Sequence, residues 1–64
     1  MCLSTAYLNK KEDELVAARY VAAVRIDGES VILTDVIGSE TVVEGSLEYI
    51  DLTEGYVIIR TEAA

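Results

Sequence analysis

The sequence predicts a small all-β domain. Three observations carry this reading. The apolar segments are rich in Val, Ile, Thr and Tyr, whose branched or flat side chains suit a half-buried pleated surface. Turn signals interrupt them at intervals of roughly seven to twelve residues, a spacing that suits a small all-β barrel. The chain has no Pro, and each of its four Gly sits in one of those turns. At 64 residues, positions 1–64 make one domain and no more.

Cys2 to Leu8 reads as a first strand. Leu3, Thr5 and Tyr7 fall on one face and Cys2, Ser4, Ala6 and Leu8 on the other. Asn9 to Glu14 is a polar loop. Leu15 to Ile26 fits two patterns. Val16, Ala18, Tyr20, Ala22, Val24 and Ile26 alternate at strand period, whereas Val16, Ala17, Tyr20, Ala23 and Val24 form a helical stripe, and four alanines favour helix. The β-branched second half, running straight into Asp27-Gly28, tilts that half towards strand. The first half is read as a turn carrying Tyr20 inward. Val31 to Val36 is a second clear strand, with Val31 and Leu33 on one face and Ile32 and Thr34 on the other. Thr41 to Glu44 is a short strand. Leu47 to Leu52 and Tyr56 to Thr61 form a hairpin across Thr53-Glu54-Gly55, with Val57 and Ile59 on one face of its second strand.

Composition narrows function. A chain this short often adds disulfides, a metal or a partner subunit to a thin core. One Cys cannot close an internal disulfide. A well-packed core, a metal or oligomerisation remains. Twelve acidic against five basic residues give a net charge of −7, which opposes a phosphate-binding surface. The absence of His removes Ser-His-Asp and Cys-His catalysis and most catalytic zinc sites. There is no GxGxxG and no GxxxxGK[ST] to cradle a phosphate. The expectation is therefore a protein that is not an enzyme. No apolar run approaches the roughly 20 residues of a membrane span, and no signal peptide is recognisable. The expected location is the cytoplasm, with a reduced thiol.

Cys2 is the one residue whose position singles it out. A lone cysteine is ordinarily a small apolar side chain packed in a core. At position two its thiolate, a soft ligand for late transition metals, lies beside a backbone amide and the chain's amine. Sulfur and nitrogen from neighbouring atoms close a small chelate ring, and tetragonal nitrogen ligation suits Ni(II) or Cu(II). If Met1 is retained, its amine, the Cys2 amide and the Cys2 thiolate form fused rings. If Met1 is removed, Cys2 supplies amine and thiolate itself. Two chains on a two-fold axis would double the donors, since a residue near the axis meets its own copy.

The opening Met1-Cys2-Leu3-Ser4, followed by Ala6-Tyr7-Leu8, resembles the start of the CooT family. So do Tyr20-Val21-Ala22-Ala23-Val24, Asp27-Gly28, Val31-Ile32-Leu33-Thr34-Asp35 with Gly38, Val43-Glu44-Gly45-Ser46-Leu47, Tyr49-Ile50-Asp51-Leu52 and Val57-Ile58-Ile59. The resemblance covers nearly the whole chain. It implies an SH3-like β-barrel that forms a homodimer and binds nickel through Cys2, as an accessory to the maturation of a nickel enzyme such as carbon monoxide dehydrogenase.

Other residues carry weaker signals. Glu12, Asp13 and Glu14 read as a solvated loop. Asp35 reads as the cap of the Gly38 turn. Tyr7, Tyr20, Tyr49 and Tyr56 read as core residues with hydroxyls at the rim, because stacking on bases would need a positive track. Lys10, Lys11, Arg19, Arg25 and Arg60 are scattered among the acids. Two alternatives to the metal reading stand. One is a protein-interaction module docking a partner on an open strand edge; the other, less favoured, is an RNA-binding protein.

Overall fold

The structure is a computed structural model and describes residues 3–62. It is all-β, as the sequence predicts. Six strands follow one another: β1 (Ser4–Leu8), β2 (Val16–Asp27), β3 (Ser30–Asp35), β4 (Glu40–Glu44), β5 (Ser46–Asp51) and β6 (Tyr56–Arg60). A single 3-10 turn, Asp13–Leu15, precedes β2. The strands form one sheet in the order β4-β3-β2-β1-β6-β5. Neighbours run antiparallel except β1 and β6, which are parallel.

The expected SH3-like barrel is not established by this sheet, because β4 and β5 are its two edges and do not pair. Yet Gly45 alone separates Glu44 from Ser46. Two strands at opposite ends of the order therefore meet at one corner, and the sheet has to curl to bring them there. Gly45 donates its N–H to the Glu29 carbonyl at 2.9 Å and lies against the backbone of Arg60.

The curl encloses a core of Ala6, Val21, Val31, Leu33, Val57 and Ile59. These residues come from the four central strands. Val31 and Leu33 face inward together, and so do Val57 and Ile59, at the two-residue period of a strand. Leu33 is 1% exposed and Ile59 fully buried.

The segment 15–26 is strand in its second half, as read, and departs from expectation in its first. It is strand throughout from Val16, with no helix. Tyr20 does not turn inward; it is 64% exposed and adopts φ 57°. That left-handed residue coincides with register shifts against both neighbours, between Ser4 and Ala6 of β1 and between Val21 and Ala23 of β2 itself. A bulge inserts an unpaired residue and resets the alternation. Val21 consequently faces the core, and Ile26, expected inward, is exposed. Val36, read as the end of a strand, lies just past β3 and is exposed.

Turns carry their own chemistry. The Asp35 Oδ1 atom accepts the N–H groups of Ile37 and Ser39, both at 3.0 Å, so Asp35 caps the Gly38 turn as its position predicts. Asp51 Oδ1 accepts those of Thr53 at 3.0 Å and Glu54 at 2.8 Å, holding the β5–β6 hairpin. Asn9, at φ 67°, ties the end of β1 to the end of the parallel β6. Its Nδ2 donates to the Thr61 carbonyl at 3.1 Å, and its Oδ1 accepts the Thr61 N–H at 3.0 Å. Asn tolerates left-handed backbone better than most residues, which suits it to that corner.

Candidate metal centre

Met1 and Cys2, the residues singled out as metal ligands, lie outside the described residues. The structure describes the residues that follow them. Leu3 precedes β1 and is 36% exposed. Thr5 donates its N–H to the Gly55 carbonyl at 3.0 Å, so the start of β1 is bound to the β5–β6 turn. On its other side, Ser4 pairs with Val21 of β2.

This end of the sheet is apolar. A shallow depression of about 200 Å³ is lined by Ser4, Val21, Val24, Ile50, Leu52 and Val57, among others. Leu52 and Ile50 beside it are exposed, Leu52 by 79%. Exposed aliphatic side chains grouped in this way mark a surface suited to being covered.

Carboxylates do not supply a rival site. Among the described residues no three His, Cys, Asp or Glu side chains gather closely enough to hold a metal ion. Glu12, Asp13 and Glu14 are all exposed, as a solvated loop should be. Asp35 and Asp51 are occupied by turn amides.

The tyrosines divide. Tyr7 is buried and meets Tyr56 edge-on at 6.2 Å between ring centroids. Tyr49 packs on Tyr56 at 5.8 Å, and Lys11 Nζ lies 4.5 Å above the Tyr56 ring. Tyr20 and Tyr49 are exposed, so the reading of all four as core residues holds for only part of the set. Tyr49 also donates its hydroxyl to Asp51 at 3.3 Å. The Asp51 charge raises the Tyr49 pKa above its ordinary 10.0, with Tyr56 and slight desolvation adding to the effect. A base-stacking platform needs cations along it. Here Lys11 is engaged with Tyr56, and Arg60 is ion-paired to Glu48.

Sequence reasoning passed over three features. Asp51 has an Asx-turn signature, Asp followed by Thr-Glu-Gly, that would have revealed its capping role. Asn9 gave no signal as a tie between the ends of β1 and β6. The tight corner at Gly45 read only as a break between strands.

Over residues 1–60 the chain matches the family model described as "CO dehydrogenase accessory protein CooT". The chain belongs to the CooT family. The match spans every strand of the sheet and also takes in Met1 and Cys2. No curated protein and no solved structure matches the chain. Membership gives an accessory role in connection with CO dehydrogenase. Among the described residues no helix is long and apolar enough to cross a membrane.

Proposed function

We propose that this CooT-family chain binds Ni(II) through Cys2 and carries it, as cargo, to a nickel enzyme of the carbon monoxide dehydrogenase kind. One observation carries the reading. The single thiol of the chain stands at position two, inside the matched span, in a family described as CO dehydrogenase accessory proteins. The donor set supports it. Thiolate sulfur is soft, and nitrogen beside it, from the Cys2 amide with a retained Met1 amine or from the Cys2 amine once Met1 is removed, closes chelate rings suited to tetragonal Ni(II). The described part of the chain offers no competing cluster of ligands.

One thiolate with its neighbouring nitrogens is a weak hold. A homodimer with the metal between the chains doubles the donors and covers the apolar end at Leu3, Ile50 and Leu52. A site made from so few donors releases its metal readily, which suits delivery rather than catalysis. In this reading the chain works as one domain in the cytoplasm and is not an enzyme.

The test is a Ni(II) titration of the wild type and Cys2→Ser, followed by thiolate-to-metal charge-transfer absorption. The wild type is expected to develop the band and saturate, and Cys2→Ser to show neither. Equal binding by both proteins would reject the assignment. Ligands must lose protons to bind, so nickel affinity is expected to fall as pH falls.

A further inference from the structure

We propose that the open edge of β4 is a docking site for an extended segment of another protein bearing Lys or Arg on either side of an apolar residue, in the pattern cation-x-apolar-x-cation. This goes beyond the nickel reading and does not depend on it.

The strand β4 pairs with β3 on one side and, among the described residues, has no strand neighbour on the other. An unpaired edge is a template for strand addition. Its side chains alternate. Val43 packs against the core, while Glu40, Val42 and Glu44 share the opposite face. Val42 is 57% exposed, between two exposed glutamates.

This face discriminates between occupants. If β4 paired with β4 of a second copy about a two-fold axis at Val42, Glu40 would oppose the copy's Glu44, twice. Like charges directly opposite one another destabilise a strand pair, and opposite charges stabilise it. In that register the edge repels its own copy, and it favours a strand with cations at the two outer positions and an aliphatic residue between them.

The other edge holds its acids differently. In β5, Glu48 is ion-paired to Arg60, and Asp51 is committed to the hairpin turn. In β4, Glu44 accepts the neutral Ser30 hydroxyl at 2.7 Å and is ion-paired to none of the described residues. Beyond Glu44 the surface opens into a groove of about 610 Å³. Ile26 and Leu47 give it apolar walls, and Glu29, Glu44 and Glu62 give it carboxylates. Its one cation, Arg60, is held by Glu48. A Lys or Arg side chain suits such a groove, with its stem on the hydrocarbon and its charge by the acids.

The probe is an acetylated, amidated peptide containing Lys-Thr-Val-Thr-Lys, added to metal-free, isotope-labelled protein and followed by amide shifts and hydrogen exchange. The expected result is shifts confined to Glu40–Glu44 and the Glu29 groove, with slowed exchange in β4. The matching Glu-Thr-Val-Thr-Glu peptide should not bind. Two opposite-charge pairs at about 0.2–1 kcal/mol each place the loss for Glu40→Gln/Glu44→Gln at roughly fivefold in affinity. Glu40→Lys/Glu44→Lys should reverse the preference and take the Glu peptide. Because these positions are exposed, unchanged core shifts will show that the variants are folded. Cys2→Ser should bind the Lys peptide as well as the wild type, so this test and the nickel test fail separately. Equal binding of both peptides, shifts centred on β5, or self-association through β4 would each overturn the proposal.

Discussion

Replacing Gly45 by Ala tests the corner at which the two edges of the sheet meet. A Cβ at this position would sit inside contact distance of the Arg60 carbonyl oxygen, 3.2 Å from the Arg60 carbonyl carbon and 3.3 Å from the Thr61 Cβ. The main obstacle is backbone, which cannot rotate away as a side chain does. Gly45 is also held from the other direction, through its N–H to Glu29. Something must move, either the end of β6 or the link between β4 and β5. Forcing an extra methyl into a packed site costs about 1–3 kcal/mol. For a domain of this size each kcal/mol lowers Tm by about 4–8 °C, so a cost of about 2 kcal/mol lowers it by roughly 8–16 °C. Gly28→Ala is the control. Gly28 has φ 61°, but a Cβ there meets nothing within 4 Å. Its cost is conformational alone, about 1 kcal/mol. Urea unfolding followed by circular dichroism should rank the proteins as wild type, then Gly28→Ala, then Gly45→Ala. If Gly45→Ala unfolds at the wild-type midpoint, the close approach at this corner does not exist and the curl of the sheet is wrongly described.

Three further outcomes follow from the same structure. Leu33→Ala empties the middle of the core and should cost about 2–5 kcal/mol, a large part of the stability of so small a domain; a loss under 1 kcal/mol in urea melts would mean that Leu33 is not central. Asp51→Asn should bring the Tyr49 pKa down towards 10.0, read from phenolate absorption across a pH titration, because the Asp51 charge is the main cause of its rise. The folded chain holds the Tyr49 proton more tightly than the unfolded chain does. Its contribution to stability is therefore full below pH 10.0 and is lost as pH rises through the raised value; a wild-type phenolate titrating below 10.0 would contradict this. Asp35→Ala removes two hydrogen bonds from an exposed turn and should cost about 1 kcal/mol, with faster amide exchange confined to Ile37 and Ser39.

The strands with clear period-two alternation were legible. The sequence puts Val31 with Leu33, and Val57 with Ile59, on one face of their strands, and in the structure each pair is buried. The Asp35 cap was legible too, because its chemistry is local. The segment from Val16 was not. Its alternation is broken by a bulge at Tyr20, and nothing in the residue type announces a left-handed backbone there. Tyr20 pointed inward by pattern and outward in fact. The exposed Tyr49 and the corner at Gly45 depend on which strands become neighbours, and a pattern along one strand carries no information about that. Cys2 stands apart: the rarity and position of its thiol single it out in the sequence, and it lies outside the described residues.

On the proposed reading Cys2 holds nickel between two chains, and native mass spectrometry of the protein incubated with Ni(II) reads metal and chain number together. The wild type is expected to give a species of two chains carrying bound nickel, and Cys2→Ser to lose the metal. A monomer without metal in the wild type, or a variant that keeps its nickel, would contradict it.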